Sequence, residues 1–283
     1  MWAADLGDVG ELLDVDESWT SFATTRVLIV SEAWPGDLAM YGPKILAVLQ
    51  SFDAVFTCME NNGLEGVADS TTSLRHLPHG VVTDSYSPSL SGRRPIGILN
   101  YGRRDPVQHD VLRRWSEGAG GWYHYDTMGL GRTQDPVDHQ RVLGRLLSES
   151  SFSVCNFGRF DESDRRQGAK ELGARFYEAL GAGCVIVGDF PGTPIFEAHF
   201  ADVPGKVAFP LGASHCPDEI ARLIAAPEEL ARIHRVHRAL ALDQHDIAHR
   251  IAQVLADVGF DLPPALSDRQ AELRTTAGQL WAA

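Results

Sequence analysis

The chain has 283 residues, a formal net charge of −13 and a hydrophobic fraction of 44%. A chain of that length buries roughly 75% of its unfolded surface, so its core needs no disulfide staples. The acidic balance excludes a general nucleic-acid binder and a peripheral protein held by charge on an acidic membrane, but not a local phosphate site built from a few arginines and backbone N–H groups.

Residues 1–25 are acidic and weakly patterned. Arg26 to Ser31 (RVLIVS) is a strand, 37–51 a helix, Phe52 to Cys58 (FDAVFTC) a second strand and Leu74 to Leu77 a short third. The Pro-, Ser- and Gly-rich stretch PHGVVTDSYSPSLSGRRP then reads as a linker. From Pro95 strand and helix signals alternate. Ile96–Tyr101 is a strand, Pro106–Glu117 a helix capped by Asp105, and Trp122–Tyr125 a strand. Pro136–Ser148 is a helix behind Asp135, Phe152–Cys155 a strand, Glu171–Leu180 a helix and Cys184–Val187 a strand. Lys206–Phe209 is a last strand, followed by helices near 217–225 and over 227–257 and a tail helix in 261–283. Such alternation implies a doubly wound parallel sheet, with ligands beyond the C-terminal ends of its strands.

Cys58, Cys155, Cys184 and Cys216 are spaced for neither a metal nor a redox pair. No apolar run approaches the ~18 residues of a membrane span, and the start MWAADLGDVGELLD lacks a signal pattern. A cytoplasmic location is expected. Asp14-Val15-Asp16 has Asp-x-Asp form but follows no strand, so no metal is assigned to it. His234, His237, His245 and His249 fall, on ideal helical geometry, on the solvent side of one long amphipathic helix. His245 and His249 have metal-ligand spacing, but Asp246 stands where a zincin has Glu. They are read as surface residues.

The most informative stretch is ELGARFYEALGAGCVIVGDFPG, Glu171 to Gly192. Gly173 frees the backbone at a helix start, Phe176, Ala179 and Leu180 form an apolar face, and a single acid, Glu178, sits within it. A carboxylate there needs a partner, and ribose hydroxyls are one. The segment resembles the nucleotide-sugar motif of GT-B glycosyltransferases, the group 1-like enzymes of bacterial type. In that family a Glu at this position bonds the donor ribose and the helix start lies near the donor phosphates. Where the family has a second Glu eight positions earlier, this chain has Lys170, with Glu171 seven positions before Glu178. LPHGVVTDSYSP resembles the segment entering the interdomain linker of those enzymes. NYGRRD (Asn100–Asp105) resembles their first C-terminal strand and its Gly-Arg loop on the diphosphate, and PVQHDVLRRW and WYHYDT are similar to elements of a bacterial subgroup. The linker comes early, so the N-terminal half is short by several strands.

The resemblance implies a Rossmann-like α/β fold: a truncated N-terminal α/β portion (1–80), a linker (81–94), a GT-B C-terminal nucleotide-sugar-binding domain (95–260) and a tail helix (261–283). It implies metal-independent transfer of a hexosyl group from a nucleotide diphosphate-sugar, UDP- or GDP-linked, with retention of configuration, as in polysaccharide biosynthesis. The acceptor (glycan, lipid or protein) is unspecified. No cofactor, nucleic acid or integral membrane segment is expected. Arg103, Arg104 and Lys170 are the candidate catalytic cations, since guanidinium groups match phosphate geometry and the free N–H groups of a helix start favour anions. Gly102, Glu171, Gly173, Glu178, His79 and His109 are the candidate substrate-binding residues. His79 sits at the linker entrance and His109 near where the family has a phosphate-contacting Lys. Arg159, in the polar loop NFGRFDESDR, is read as solvated. Two other readings stay open: a non-catalytic nucleotide-sugar-binding module or inactive remnant, its cleft completed by a partner chain or second copy, and a GT-B-fold nucleotide-sugar epimerase.

Overall fold

The computed structural model describes residues 1–14, 21, 23–41, 43–60, 64, 72–90, 92–119, 121–125 and 135–283. Val15 and Asp16, and with them the Asp-x-Asp reading, lie outside the described residues, as do Asp126 and Thr127 of WYHYDT. The first lobe holds β1 (Trp2–Asp5), α1 (Leu6–Gly10), β2 (Val27–Glu32), α2 (Pro35–Tyr41), α3 (Pro43–Gln50), β3 (Ala54–Thr57) and β4 (Ser73–His76). Its four strands run parallel in the order β1-β2-β3-β4. The acidic start thus contains a strand and a helix. Asp5 caps α1 by accepting from Gly7 N, and Ala3, Leu6 and Val9 enter the core with Leu28, Val30 and Val55.

The second lobe holds β5 (Ile96–Leu99), α4 (Pro106–Ala119), β6 (Tyr123–His124), α5 (Pro136–Ser148), β7 (Ser150–Val154), α6 (Ser163–Arg166), α7 (Ala174–Gly181), β8 (Val185–Gly188), α8 (Pro194–Phe200) and β9 (Val207–Ala208). It continues through α9 (Asp218–Ile224), α10 (Pro227–Leu240), α11 (Ile247–Asp257) and α12 (Pro264–Ala282). Its five parallel strands run in the order β6-β5-β7-β8-β9. The chain starts at β5, steps to β6 and returns to β7 on the other side, so the topological switch point, where such sheets bind ligands, lies between β5 and β7. The caps follow the sequence: Asp105 accepts from Gln108 N at 2.8 Å and Asp135 from Val137 N at 2.8 Å. β7 is buried throughout although three of its residues are serines. Ser150 Oγ, for one, donates to Leu146 O at 2.6 Å, which removes the cost of burying it.

One long helix over 227–257 is not what forms. A π-turn at Ala241–His245 follows α10, and Asp246, extended at ψ 146, starts α11 by accepting from Ala248 N. Asp246 also receives Thr83 N at 3.1 Å, and Val81 pairs with the chain around Asp246 through Val81 N to His245 O and Ile247 N to Val81 O, both 2.9 Å. The linker and the return segment are therefore bonded to each other. The break turns α11 onto the first sheet, where Val254 packs with Ile29, Ala54, Phe56 and Leu77. It also corrects the histidine reading. His234, His237 and His245 are buried, because the chain packs on both sides of the break, and His237 lies 2.7 Å from both Cys184 O and Pro204 O. α12 returns to α10, burying Leu273 and Ala277 against Ala239, Leu242 and Ala248.

Candidate active site between the two lobes

The C-terminal strand ends of both sheets meet at a cleft. Two adjoining cavities occupy it, about 270 Å³ and about 210 Å³. Glu32, Gly158, Arg159, Gly173 and Ala174 line both. Asp5, Trp34, Met59, His79 and Glu171 are among the larger cavity's own residues, and Arg103, Asn156 and Arg175 among the smaller one's.

The smaller cavity gathers cations. Gly173 is the N-cap of α7, extended at φ −80 and ψ 162, and gives no side-chain cap, so the first N–H groups of α7 have no capping partner from it. The apolar face Phe176, Ala179 and Leu180 is buried and fixes the helix against the sheet. Arg103, on the loop after β5, donates Nη1 to Asp161 Oδ1 at 2.9 Å and pairs through Nη2 with Glu162. Arg159, on the loop after β7 at φ 45, donates Nε to Glu32 Oε2 at 2.5 Å and Nη1 to Glu162 at 3.1 Å. Arg175 donates Nη1 to Arg103 O at 3.1 Å and places its guanidinium 4.9 Å over the Tyr101 ring. Partial burial raises the Glu162 carboxyl, but Arg159 and Arg103 outweigh it and hold the group below its ordinary range. Gly102 is required by position: at φ +67 it adopts a conformation that favours glycine, and a Cβ there would meet Arg175 Nη2 at 2.3 Å.

The larger cavity mixes acids with a neutral imidazole. Glu171 is buried and lies before α7 rather than on its first turn. Its Oε2 accepts Glu60 N from the first lobe at 2.9 Å. His79 follows β4, and burial pushes its pKa down to about 4, so it is neutral at pH 7. Glu178 stands one helical turn beyond Ala174, and its Oε2 accepts the Tyr101 hydroxyl at 2.5 Å.

Three sequence-named residues stand elsewhere. Arg104 turns to β6, donating to Tyr125 O with its guanidinium 5.6 Å over the Tyr125 ring. His109 joins the same aromatic group, with Nδ1 2.9 Å from Tyr123 Oη. Lys170 is exposed, its ammonium 4.8 Å over the Phe157 ring, and lines a separate depression with Pro35 and Thr193. Sequence reasoning missed Glu32 and Arg175 and took Arg159 for a solvated side chain. Their signal was positional: Glu32 ends a strand of the first sheet, Arg159 follows β7 at the switch point, and Arg175 is in the first turn of the helix singled out for its start.

The loop carrying Arg159 also ties the lobes together. Arg165 on α6 donates Nε to Asp37 Oδ1 at 2.5 Å and Nη2 to Oδ2 at 2.9 Å, with Asp5 at 3.4 Å. Gly36 allows this approach, since a Cβ there would lie 2.8 Å from Arg165 O. Among the described residues no group of three or more His, Cys, Asp or Glu side chains is arranged to hold a metal ion. No helix among them is long and apolar enough to cross a membrane.

A family model described as "Glycosyl transferase-like" matches residues 100–256, more than half of the chain, and the chain belongs to that family. No curated protein matches the sequence. The fold is that of GT-B glycosyltransferases. HepE from Anabaena, crystallised with UDP and glucose, superposes with a TM-score of 0.53 at 12% identity over 91% of this chain and 77% of its own. TarM superposes with a TM-score of 0.52 at 9% identity over 88% of this chain and 57% of its own. A chain of the GtfA/B complex (TM-score 0.44, 12% identity, 82% of this chain) is matched over about half of its own length, 52%.

Proposed function

We propose that this protein transfers a hexosyl group from a nucleotide diphosphate-sugar to an acceptor. The observation that carries the reading is the convergence of Arg103, Arg159, Arg175 and the start of α7 on one cavity at the switch point of the second sheet. Breaking a glycosyl–phosphate bond leaves a nucleoside diphosphate whose charge grows toward the transition state. Guanidinium groups and helix N–H groups fixed beforehand stabilise that charge without reorganising. On this reading Arg103, Arg159 and Arg175 hold the diphosphate. Glu178, one turn along α7, takes the ribose hydroxyls. The sugar extends into the larger cavity, where the Glu171 carboxylate accepts its hydroxyls and neutral His79 serves as donor or acceptor. Charge neutralisation falls to the arginines, and the proposal assigns no metal or cofactor. Retention of configuration comes from the family resemblance. UDP-glucose is the first donor to test because HepE, a fold neighbour, is crystallised with it.

The test is a thermal-shift panel of UDP, GDP, ADP and CDP with their sugar conjugates, run on the wild-type chain, Arg103→Ala and Glu178→Ala. A ligand that binds the folded state raises the melting temperature by mass action. One nucleotide is expected to stabilise the wild type, with affinity lower by about 5- to 150-fold in Glu178→Ala, the scale of a lost charge-assisted hydrogen bond. Stabilisation by none of them refutes the donor site. Binding without turnover on any acceptor selects the non-catalytic reading, and acceptor-free conversion of the sugar selects the epimerase.

A further inference from the structure

Tyr101 is buried, at 7% exposure, and directly precedes Gly102 and Arg103. One side of its ring is covered by the Arg175 guanidinium at 4.9 Å, which the missing Gly102 side chain allows to lie there. So held, the ring aims its hydroxyl at Glu178, and the 2.5 Å bond to Oε2 is the only hydrogen bond to that carboxylate among the described residues. Glu178 is half-buried and lies about 6 Å, just over one turn, further along α7 than the cavity-lining Ala174.

We propose that Tyr101 is a positioning residue: its hydroxyl fixes the Glu178 carboxylate so that the second oxygen is presented to the ribose diol of the donor. The proposal rests on the ribose reading of Glu178 given above. An ionised carboxylate is acceptor-only, with two oxygens, so one can be held by the protein while the other takes a ligand hydroxyl. A glutamate with three free side-chain torsions loses rotamer entropy when a ligand orders it, and a pre-formed bond removes part of that cost before binding. The tyrosine also opposes a local difficulty. Burial raises the Glu178 carboxyl pKa, and the Tyr101 hydroxyl and then the Arg175 charge pull it back toward the acceptor form.

The test is calorimetric titration of the full chain with UDP and with 2′,3′-dideoxy-UDP, or the same pair on whichever base the panel selects. It compares the wild type, Tyr101→Phe, Glu178→Gln and the double variant. The wild type is expected to prefer the ribose form. Tyr101→Phe is expected to cut that preference by about 2- to 10-fold while leaving dideoxy affinity unchanged. The double variant is expected to lose no more than Glu178→Gln alone. A Tyr101→Phe variant that keeps the wild-type preference, or that weakens both ligands equally, overturns the proposal. If Glu178→Gln itself keeps the preference, the ribose reading fails and this proposal with it. If Glu178→Gln abolishes the preference and Tyr101→Phe does not, only the role of Tyr101 falls.

Discussion

Replacing Arg165 with Met removes the cation that joins the lobes at α2. Asp37 is 1% exposed, and among the described residues its carboxylate receives, apart from Arg165, a single bond, Trp34 N at 3.2 Å. The Asp37 hydrogen bond holds the Arg165 guanidinium above its ordinary pKa range. Removing one member of a buried pair costs about 3–5 kcal/mol, because a charge is left without compensation. The Arg165 side chain is 24% exposed, so water screens part of the interaction and the low end, about 3 kcal/mol, is the expectation. Removing both charges together avoids the uncompensated carboxylate, so Asp37→Asn combined with Arg165→Met should recover more than half of the loss. Urea unfolding at pH 7, followed by far-UV circular dichroism, measures both variants. A cost below 1 kcal/mol for Arg165→Met, or a double variant no more stable than the single one, would refute the reasoning.

Two further outcomes are expected. Asp161 and Glu162 occupy the same guanidinium groups that the proposed diphosphate needs. Asp161→Asn with Glu162→Gln should therefore tighten nucleoside diphosphate binding several-fold in the same titration, and weaker binding would mean that these acids support the ligand rather than compete with it. Stability should also fall as pH drops. Burial lowers His79 and His199 to about 4 from 6.5, so the unfolded chain takes up protons that the folded one refuses. The stability they contribute is complete above pH 6.5 and declines between 6.5 and 4, at up to about 1.4 kcal/mol per pH unit for each. Urea midpoints at pH 7.5, 6.5, 5.5 and 4.5 test this, and a flat profile below 6.5 that is unchanged by His199→Gln counts against it.

The second lobe was largely legible because its elements carry local signals. Asp105 and Asp135 announce α4 and α5 by capping, and apolar runs mark β5 and β8. β1 escaped because Trp2–Asp5 mixes exposed and buried positions within an acidic stretch, and its partner β2 lies beyond residue 25. The break at Asp246 was not visible because what stabilises it, Thr83 and Val81, is far away in sequence. At the site the Gly-Arg loop and the start of α7 were readable as motifs. Glu32 was not, since it depends on which strand ends face each other across the cleft, and the direction of Arg104 was not, since it depends on β6 lying beside β5 in the second sheet.

The packing of α11 on the first sheet has a consequence for the order in which the chain can fold. Ile29, Ala54 and Phe56 belong to the first lobe, yet Val254, which packs on them, is translated after the whole second sheet. At about 5–20 residues per second, that face waits roughly ten to forty seconds for its cover. During synthesis the first lobe is thus an unfinished half-core with apolar surface to shield. Its final stability arrives only when the return segment has emerged from the ribosome and bonded at Val81.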